Sequence, residues 1–308
     1  MKKLAIGLAL LLTLLAVLHW LVPNVVARAY LGAARLFAGV ESRHLEVNQQ
    51  VFHYLDGGTG PTVVLVHGFG GDSDNWLLIA RALGKSFRVI AVDLPGFGRS
   101  PAPVDGNFNV RRQAHRLGDF IQALTPETVH LAGSSMGGQI VAVLAAERPE
   151  LARSVALLDP LGIEGEAGVT PSITMQRLTA GQNMLLPADN AAFAEMIKLM
   201  FYREPWMPGV MMRYYRQGWL ESLPQLTKVF ADITDEYVPL APLLPAIDAP
   251  VLVIWGADDN ILPASGAEVL GAGLRRNEIV IIPQCGHLPM IEKPRTTAEH
   301  YLHFLDGL

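Results

Sequence analysis

The sequence predicts an α/β fold, with a mostly parallel sheet covered by helices on both faces, a helical cap insertion and an N-terminal transmembrane helix. Short apolar runs alternate with helical stretches, the alternation stops across residues 162–246, and a long apolar segment follows the first three residues. Apolar strands separated by helices are typical of a parallel sheet buried on both faces. With 308 residues, 50% of them hydrophobic, the chain is long enough for one large domain.

The first element is an apolar segment over residues 4–22, which follows two lysines. As a helix, its 19 residues span about 28 Å, close to the thickness of a bilayer's hydrocarbon core. A cleaved signal peptide begins in the same way, but no small-x-small cleavage site follows, which favours a retained anchor. The lysines predict a single-pass protein of the inner (cytoplasmic) membrane with its main domain on the periplasmic or extracytoplasmic side, although Arg28, Arg35 and Arg43 weaken that bias.

A juxtamembrane helix is predicted next, over residues 25–43, with Pro23 and Asn24 marking the break from the span. Its apolar residues recur near helical spacing, at Val25, Val26, Ala29, Leu36, Phe37 and Val40. Such a helix lies against lipid or a partner, including a second copy of the chain in a homodimer, or it is a plain stalk. The predicted domains are therefore an anchor (1–24), this helix (25–43) and a main domain (44–308) with its cap at about 162–246.

Six apolar runs predict the parallel strands, at 62–66, 88–92, 128–131, 154–158, 251–255 and 279–282. An earlier pair, at 45–47 and 51–54, predicts an antiparallel edge. The segment 162–246 holds helical patterns, such as 191–201, but no buried-strand run, and therefore predicts the cap.

The string GSSMGG at residues 133–138 follows a predicted strand and precedes a helical run over 139–147. Glycines two residues before and after Ser135 allow that serine to sit on a tight strand-to-helix turn, where bulk would clash with the adjoining elements. A serine hydroxyl needs a base to remove its proton and an acid to orient that base. Ser135 is the predicted nucleophile.

The base and the acid are expected at the carboxyl edge of the sheet, where loops follow the strands. His287 comes just after the last predicted strand and is the predicted general base. The strand at 251–255 leads to Asp258 and Asp259, either of which could accept the imidazole N–H. The order serine, acid, histidine is the one that this kind of elbow uses.

A glycine-rich loop, HGFGG at residues 67–71, follows the first parallel strand. Its backbone can direct an N–H group at a developing oxyanion, together with the amide of the residue after the nucleophile. Phe69 and Met136 are the predicted oxyanion-hole donors, and His67 is expected to order the loop.

These motifs, at 67–69, 93–100, 133–138, 255–263 and 286–294, resemble the α/β-hydrolase superfamily over about residues 44–308. Within it, the chain is similar to bacterial membrane-associated lipases and phospholipases A, and to monoacylglycerol lipases with one amino-terminal span. The resemblance implies an acyl-ester hydrolase whose cap shapes the acyl pocket. It also selects Asp259, four residues after Trp255, as the triad acid.

Composition and residue spacing argue against several other kinds of partner and site. A net charge of −5 without clustered Lys or Arg argues against a nucleic-acid partner. Cys285 is the single cysteine, which excludes internal disulfides and cysteine-cluster metal sites, and it is expected to be a small packing residue. The histidines lack metal-ligand spacing, so neither a cofactor nor a metal is expected. The expected partners are an acyl lipid or other ester substrate and the membrane bilayer.

Two other functions fit parts of the sequence: a carbon–carbon bond hydrolase with a similar elbow, and a non-catalytic binding protein on the same scaffold. The predicted anchor favours the lipid substrate, and the complete set of triad residues argues against the binding protein. Asp93 opens a proline-glycine turn and is expected to accept backbone N–H groups. Trp206, Trp219 and the methionines of the cap could line a lipid pocket or pack its helices.

Overall fold

The computed structural model describes residues 23–308, which form an eight-stranded sheet of order β1-β2-β4-β3-β5-β6-β7-β8. The strands are β1 (Val40–Val47), β2 (Gln50–Gly57), β3 (Thr62–Val66), β4 (Arg88–Val92), β5 (Val129–Ser134), β6 (Ala152–Leu158), β7 (Val251–Gly256) and β8 (Asn277–Ile282). The helices are α1 (Pro23–Ala38), α2 (Leu77–Leu83), α3 (Val110–Leu124), α4 (Met136–Glu147), α5 (Ile173–Thr179), α6 (Asn190–Met200), α7 (Gly209–Asp235), α8 (Gly266–Gly273), α9 (Pro289–Glu292) and α10 (Pro294–Asp306).

The predicted strand pattern is confirmed. β3 and β4 have the predicted bounds, and the other four parallel strands begin or end one to three residues away from the predicted positions. The predicted edge pair is β1 and β2, which run antiparallel, with β2 also antiparallel to β4. β1 is longer than predicted because most of its side chains are exposed, so that it carries no apolar run.

Helices cover both faces of the sheet, as predicted. Residues 63–66 of β3 are fully buried, as expected for a central strand. One core lies between the sheet and α3, α4 and α8, and the other lies between the sheet and α2, α9 and α10. These two layers fix the carboxyl ends of the strands, where the candidate site residues lie.

The segment between β6 and β7 holds α5, α6 and α7 and, within the described part of the chain, no strand. The predicted helix at 191–201 is α6, displaced by one residue. Leu226 and Val229 of α7 join the core of the first face, so this segment packs on the sheet domain. The division into an anchor, a juxtamembrane helix and a capped main domain stays a prediction.

α1 belongs to the folded body of the protein. It ends at Ala38, two residues before the predicted apolar pattern ends, because Gly39 adopts a φ of 75° and β1 begins at Val40. Ala27 and Leu31 are buried against Val210 and Met211 of α7. The plain stalk considered from the sequence is therefore wrong, since a stalk has no packed face.

The predicted apolar pattern covers both faces of α1: Val26 packs against α7 and Val40 is buried, whereas other members of the pattern lie on the outer face. Val25, Leu36 and Phe37 are 63%, 82% and 71% exposed. The ring of Phe37 still contacts the domain, because the guanidinium of Arg81 lies 4.0 Å from its centroid. Arg35 instead points inward and pairs with Asp74 in the loop after β3. α1 thus has a packed face with its own ion pair and an outer face whose apolar side chains are mostly exposed.

The predicted transmembrane segment at residues 4–22 lies outside the described residues. Between Pro23 and Leu308, no helix combines the length and the hydropathy needed to cross a bilayer.

Candidate active site

The sheet brings the candidate residues to one edge. β5, β6, β7 and β8 are parallel neighbours, so their carboxyl ends lie side by side. Ser135 follows β5, Asp259 comes three residues after β7, and His287 lies in the loop after β8. Asp159, which the sequence argument did not select, directly follows β6.

Ser135 occupies the strained turn that a nucleophile elbow requires. Its φ of 55° and ψ of −120° are unusual for a residue other than glycine, and its amide donates to the Leu158 carbonyl at 2.9 Å. A Cβ on Gly133 would lie 2.2 Å from the Gly137 carbonyl oxygen, which explains the small neighbours. Ser134 is fully buried whereas Ser135 is partly exposed, so the geometry favours Ser135 as the reactive hydroxyl.

His287 and Asp259 form a buried pair. The Nδ1 of His287 lies 2.8 Å from Oδ2 of Asp259, and the other carboxylate oxygen accepts the amides of Ile261 and Leu262 at 2.7 and 3.0 Å. The neighbouring Asp258 is exposed. An Nδ1–H donated to the carboxylate leaves Nε2 of His287 unprotonated, as a general base requires.

Ser135 and His287 are not hydrogen-bonded to each other in the described structure. Such bonds are often long in the absence of substrate and tighten when it binds. Ser135 and His287 therefore lie at one edge of the sheet, and Asp259 is hydrogen-bonded to His287. We expect the hydrogen bond between His287 and Ser135 to form when substrate binds.

The glycine-rich loop lies against the elbow. A Cβ on Gly68 would come 3.1 Å from Cβ of Ser135, so only glycine fits there without displacing the serine. Among residues 23–308, no hydrogen bond uses the amides of Phe69 or Met136. Met136 is the first residue of α4, where an amide has no partner within the helix. Both amides are therefore available as oxyanion donors.

His67 holds this loop in place. Its Nε2 accepts the amide of Leu94 at 3.1 Å, so its Nδ1 carries the hydrogen and donates to the Gly68 carbonyl at 2.8 Å. Burial lowers the pKa of His67 below its ordinary value, which favours this neutral form. The predicted ordering role of His67 agrees with these contacts.

Aromatic side chains of the cap cover the loop. Gly70 has a φ of 68°, and a Cβ there would lie 2.3 Å from the Trp219 ring. Phe69 and Phe193 approach that ring edge-on, with centroids 6.2 and 6.1 Å away. Trp206 is 87% exposed, so it neither lines a pocket nor packs the cap core. Of the two tryptophans considered, only Trp219 lies near the elbow.

Asp93 and Cys285 are structural, as predicted. Asp93 accepts the amides of Ser73 and Arg99 at 2.6 and 2.9 Å, and it also contacts Nδ1 of His53 at 2.7 Å. The His53 contact was not foreseen. Cys285 is fully buried, and burial raises the pKa of its thiol well above the ordinary value. A thiol that stays protonated is unreactive.

Asp159 is the residue that the sequence argument missed. It is fully buried, and its Oδ1 accepts the amide of Gly256 at 2.8 Å. Its only sequence signal is a carboxylate placed immediately after an apolar strand. Asp159, Asp259 and His287 each offer a ligand atom within 4.8 Å of the others, the one such group in the described part of the chain. Within this group, His287 and Asp259 are joined by a hydrogen bond, Asp259 also accepts two backbone amides, and Asp159 accepts one.

Comparison with known proteins points to lipid-cleaving relatives. The chain is 31% identical over 263 residues to Lipase 3 of Moraxella sp. (strain TA144), covering 85% of this chain and 82% of that protein. It is 28% identical over 298 residues to the monoacylglycerol lipase ABHD6 of Homo sapiens, covering 92% and 87%. The crystal structure of a membrane phospholipase A, described as a novel bacterial virulence factor, is similar with a TM-score of 0.90 and 38% identity, covering 100% of this chain and 99% of that chain.

A family model agrees with these similarities. Residues 61–294, well over half of the chain, match the model described as the alpha/beta hydrolase fold. That range includes the elbow, the glycine-rich loop, Asp159, Asp259 and His287. The chain therefore belongs to the α/β-hydrolase family.

Proposed function

We propose that this protein is a membrane-anchored serine hydrolase that cleaves carboxylic esters of acyl lipids through an acyl-enzyme. The general activity, carboxylic ester hydrolysis, is supported by the family to which the chain belongs and by similar proteins that are named as lipases. The single observation that carries the mechanism is the buried His287–Asp259 pair, at 2.8 Å, on the same sheet edge as the Ser135 elbow.

In the proposed reaction, Nε2 of His287 takes the proton of Ser135 as its Oγ attacks the acyl carbonyl carbon. The amides of Phe69 and Met136 stabilise the negative oxygen of the tetrahedral intermediate. Collapse of that intermediate breaks the ester bond, and the leaving alcohol takes the proton from His287. Water, deprotonated by His287, then attacks the acyl carbon. The bond to Oγ of Ser135 breaks, Oγ takes the proton back from His287, and the fatty acid leaves. Asp259 fixes the imidazole tautomer and stabilises the imidazolium in both halves.

An acyl chain is the substrate group that the surroundings of the elbow favour. Phe69, Phe193 and Trp219 pack next to the glycine-rich loop, and Phe230 lies edge-on to Phe69 with centroids 6.1 Å apart. An apolar wall of this kind binds hydrocarbon by removing it from water. Similar proteins named as lipase, monoacylglycerol lipase and phospholipase A support the same class of substrate.

The membrane is the proposed site of action. The apolar segment at residues 4–22 would cross the inner membrane once, leaving the main domain on the periplasmic or extracytoplasmic side. The exposed apolar side chains of α1, at Val25, Leu36 and Phe37, would then lie near the lipid surface. The same face could join two copies in a homodimer, which sedimentation of the detergent-solubilised protein would test.

The test is hydrolysis of graded substrates by purified protein: soluble esters of increasing chain length, monoacylglycerol and phospholipid vesicles. We expect hydrolysis that requires Ser135, with Ser135→Ala lowering kcat by about 10⁴-fold or more. Ser134→Ala is the matched control and should have little effect, because Oγ of Ser134 has no hydrogen-bond partner in the described structure. A folded protein that cleaves none of these esters would contradict the proposal.

A further inference from the structure

Asp159 has a buried oxygen that no donor satisfies. The residue is fully buried, its Oδ1 accepts the Gly256 amide at 2.8 Å, and its Oδ2 has no hydrogen-bond partner among residues 23–308. An ionised carboxylate strongly prefers water or donors around both oxygens. An ionised Asp159 would therefore be poorly stabilised here, whereas a protonated Oδ2 would become a donor that needs one nearby acceptor.

The carboxylate of Asp259 is an acceptor close to Asp159. Asp159, Asp259 and His287 offer atoms within 4.8 Å of one another. Glu292 also acts on Asp159 through its charge, and the neutral thiol of Cys285 lies close by. Burial, together with the charges of Asp259 and Glu292, raises the pKa of Asp159 well above its ordinary value. The hydrogen bond from the Gly256 amide acts in the opposite direction.

Oδ2 of Asp259 has room for this donor. It accepts Nδ1–H of His287 at 2.8 Å. Its other donor is the indole N–H of Trp255 at 3.3 Å, which also donates to the Leu262 carbonyl at 3.2 Å. A carboxylate oxygen accepts two hydrogen bonds, so one position is only weakly filled.

We propose that Asp159 is a neutral carboxylic acid in the resting protein and donates its proton in a hydrogen bond to Asp259. Asp159 is then a positioning residue that acts on His287 through Asp259, and the inference rests on the triad proposed above. The bond fixes the Asp259 carboxylate and draws charge away from it. The positive φ of Asp159, 46°, is the kind of strain that persists where the surrounding structure holds a residue in place for function.

Two substitutions separate the neutral donor from an ionised carboxylate. In Asp159→Asn, the amide oxygen can keep the Gly256 bond and the NH₂ group can keep the bond to Asp259. Asp159→Gly removes both bonds but tolerates the positive φ. The readout is the acid limb of the pH profile of kcat/KM, where the free enzyme's base takes up a proton.

We expect Asp159→Asn to leave the acid limb unchanged. Asp159→Gly should move it to higher pH, because an Asp259 that has lost a donor stabilises the imidazolium more strongly, and should lower kcat/KM by about tenfold or more through loss of positioning. If Asp159 is ionised instead, both substitutions remove a negative charge and both move the limb to lower pH. That result, or no change in either variant, would overturn the proposal.

Infrared spectroscopy tests the protonation state without relying on activity. The difference spectrum between the native protein and Asp159→Asn at neutral pH should contain the carbonyl band of a protonated carboxylic acid. A carboxylate band in its place would overturn the proposal even if Asp159→Gly failed to fold. Loss of the proposed function would be seen separately, as ester hydrolysis that survives Ser135→Ala.

Discussion

Asp259→Asn is the substitution whose effect the structure defines most closely. Oδ1 of Asp259 accepts two backbone amides, from Ile261 and Leu262, and only an oxygen can accept them. An asparagine at this position must therefore place its carbonyl oxygen there and its NH₂ group where Oδ2 now faces His287. That NH₂ donates to Nδ1, so the imidazole hydrogen moves to Nε2. The variant keeps its fold, and His287 cannot act as a base.

We expect kcat of Asp259→Asn to fall by about 10⁴-fold, equivalent to about 5 kcal/mol of transition-state stabilisation. Asp258→Asn is the matched control, because Asp258 is adjacent but exposed, and it should stay within about threefold of the native protein. The assay is steady-state hydrolysis of a soluble short-chain ester, with thermal melting of each variant to confirm folding. A larger loss for Asp258→Asn, or less than tenfold for Asp259→Asn, would refute the assignment of the acid.

Three further predictions address the membrane segment, the glycine-rich loop and pH. Deleting residues 1–22 should leave soluble ester hydrolysis intact and sharply lower attack on phospholipid vesicles. Deletion through the end of α1 should also lower the melting temperature. Equal vesicle activity of the shorter deletion and the full chain would contradict this prediction. Gly70→Ala should lower the free energy of unfolding by about 1–3 kcal/mol, because its Cβ would overlap the Trp219 ring, while Gly218→Ala, with no atom within 4 Å of the added carbon, should be neutral or stabilising in chemical denaturation. Because the pKa of Asp159 is raised in the folded protein, this residue gives up its proton on unfolding above about pH 4, and its contribution to native stability falls as pH rises from there. Asp159→Asn should therefore gain stability relative to the native protein between about pH 4 and 7. A difference in unfolding free energy between the two proteins that stays constant over this range would refute the prediction.

The sequence was sufficient to predict the parallel sheet and to propose the triad residues in their chain order. Buried parallel strands are continuous apolar runs, which is why the bounds of β3 and β4 were predicted to the residue. Ser135 and His287 stand out because a nucleophile elbow and a glycine-histidine pair after the last strand are local patterns. The choice of Asp259 as the proposed acid needed the family resemblance, since Asp258 and Asp259 are adjacent and local sequence does not separate an exposed carboxylate from a buried one.

Contacts between distant segments could not be predicted from local sequence. The packed face of α1 is centred on Ala27 and Leu31, neither of which belonged to the predicted apolar pattern, and that pattern mixed packed and exposed residues. Asp159 resembles any polar residue at a strand end until Asp259 is placed beside it. The buried contact between His53 and Asp93 likewise joins residues 40 positions apart. In each case, the partner is defined by the tertiary fold.

The central claim is that Ser135 is an activated nucleophile, and covalent labelling tests it most directly. The native protein, treated with a fluorophosphonate probe and digested, should carry the adduct on Ser135 in its mass spectrum, because only a serine deprotonated by a neighbouring base attacks the probe rapidly. Ser134→Ala should label like the native protein, while Ser135→Ala and His287→Ala should not label. An adduct on Ser134, or a folded native protein that is not labelled at all, would contradict the account.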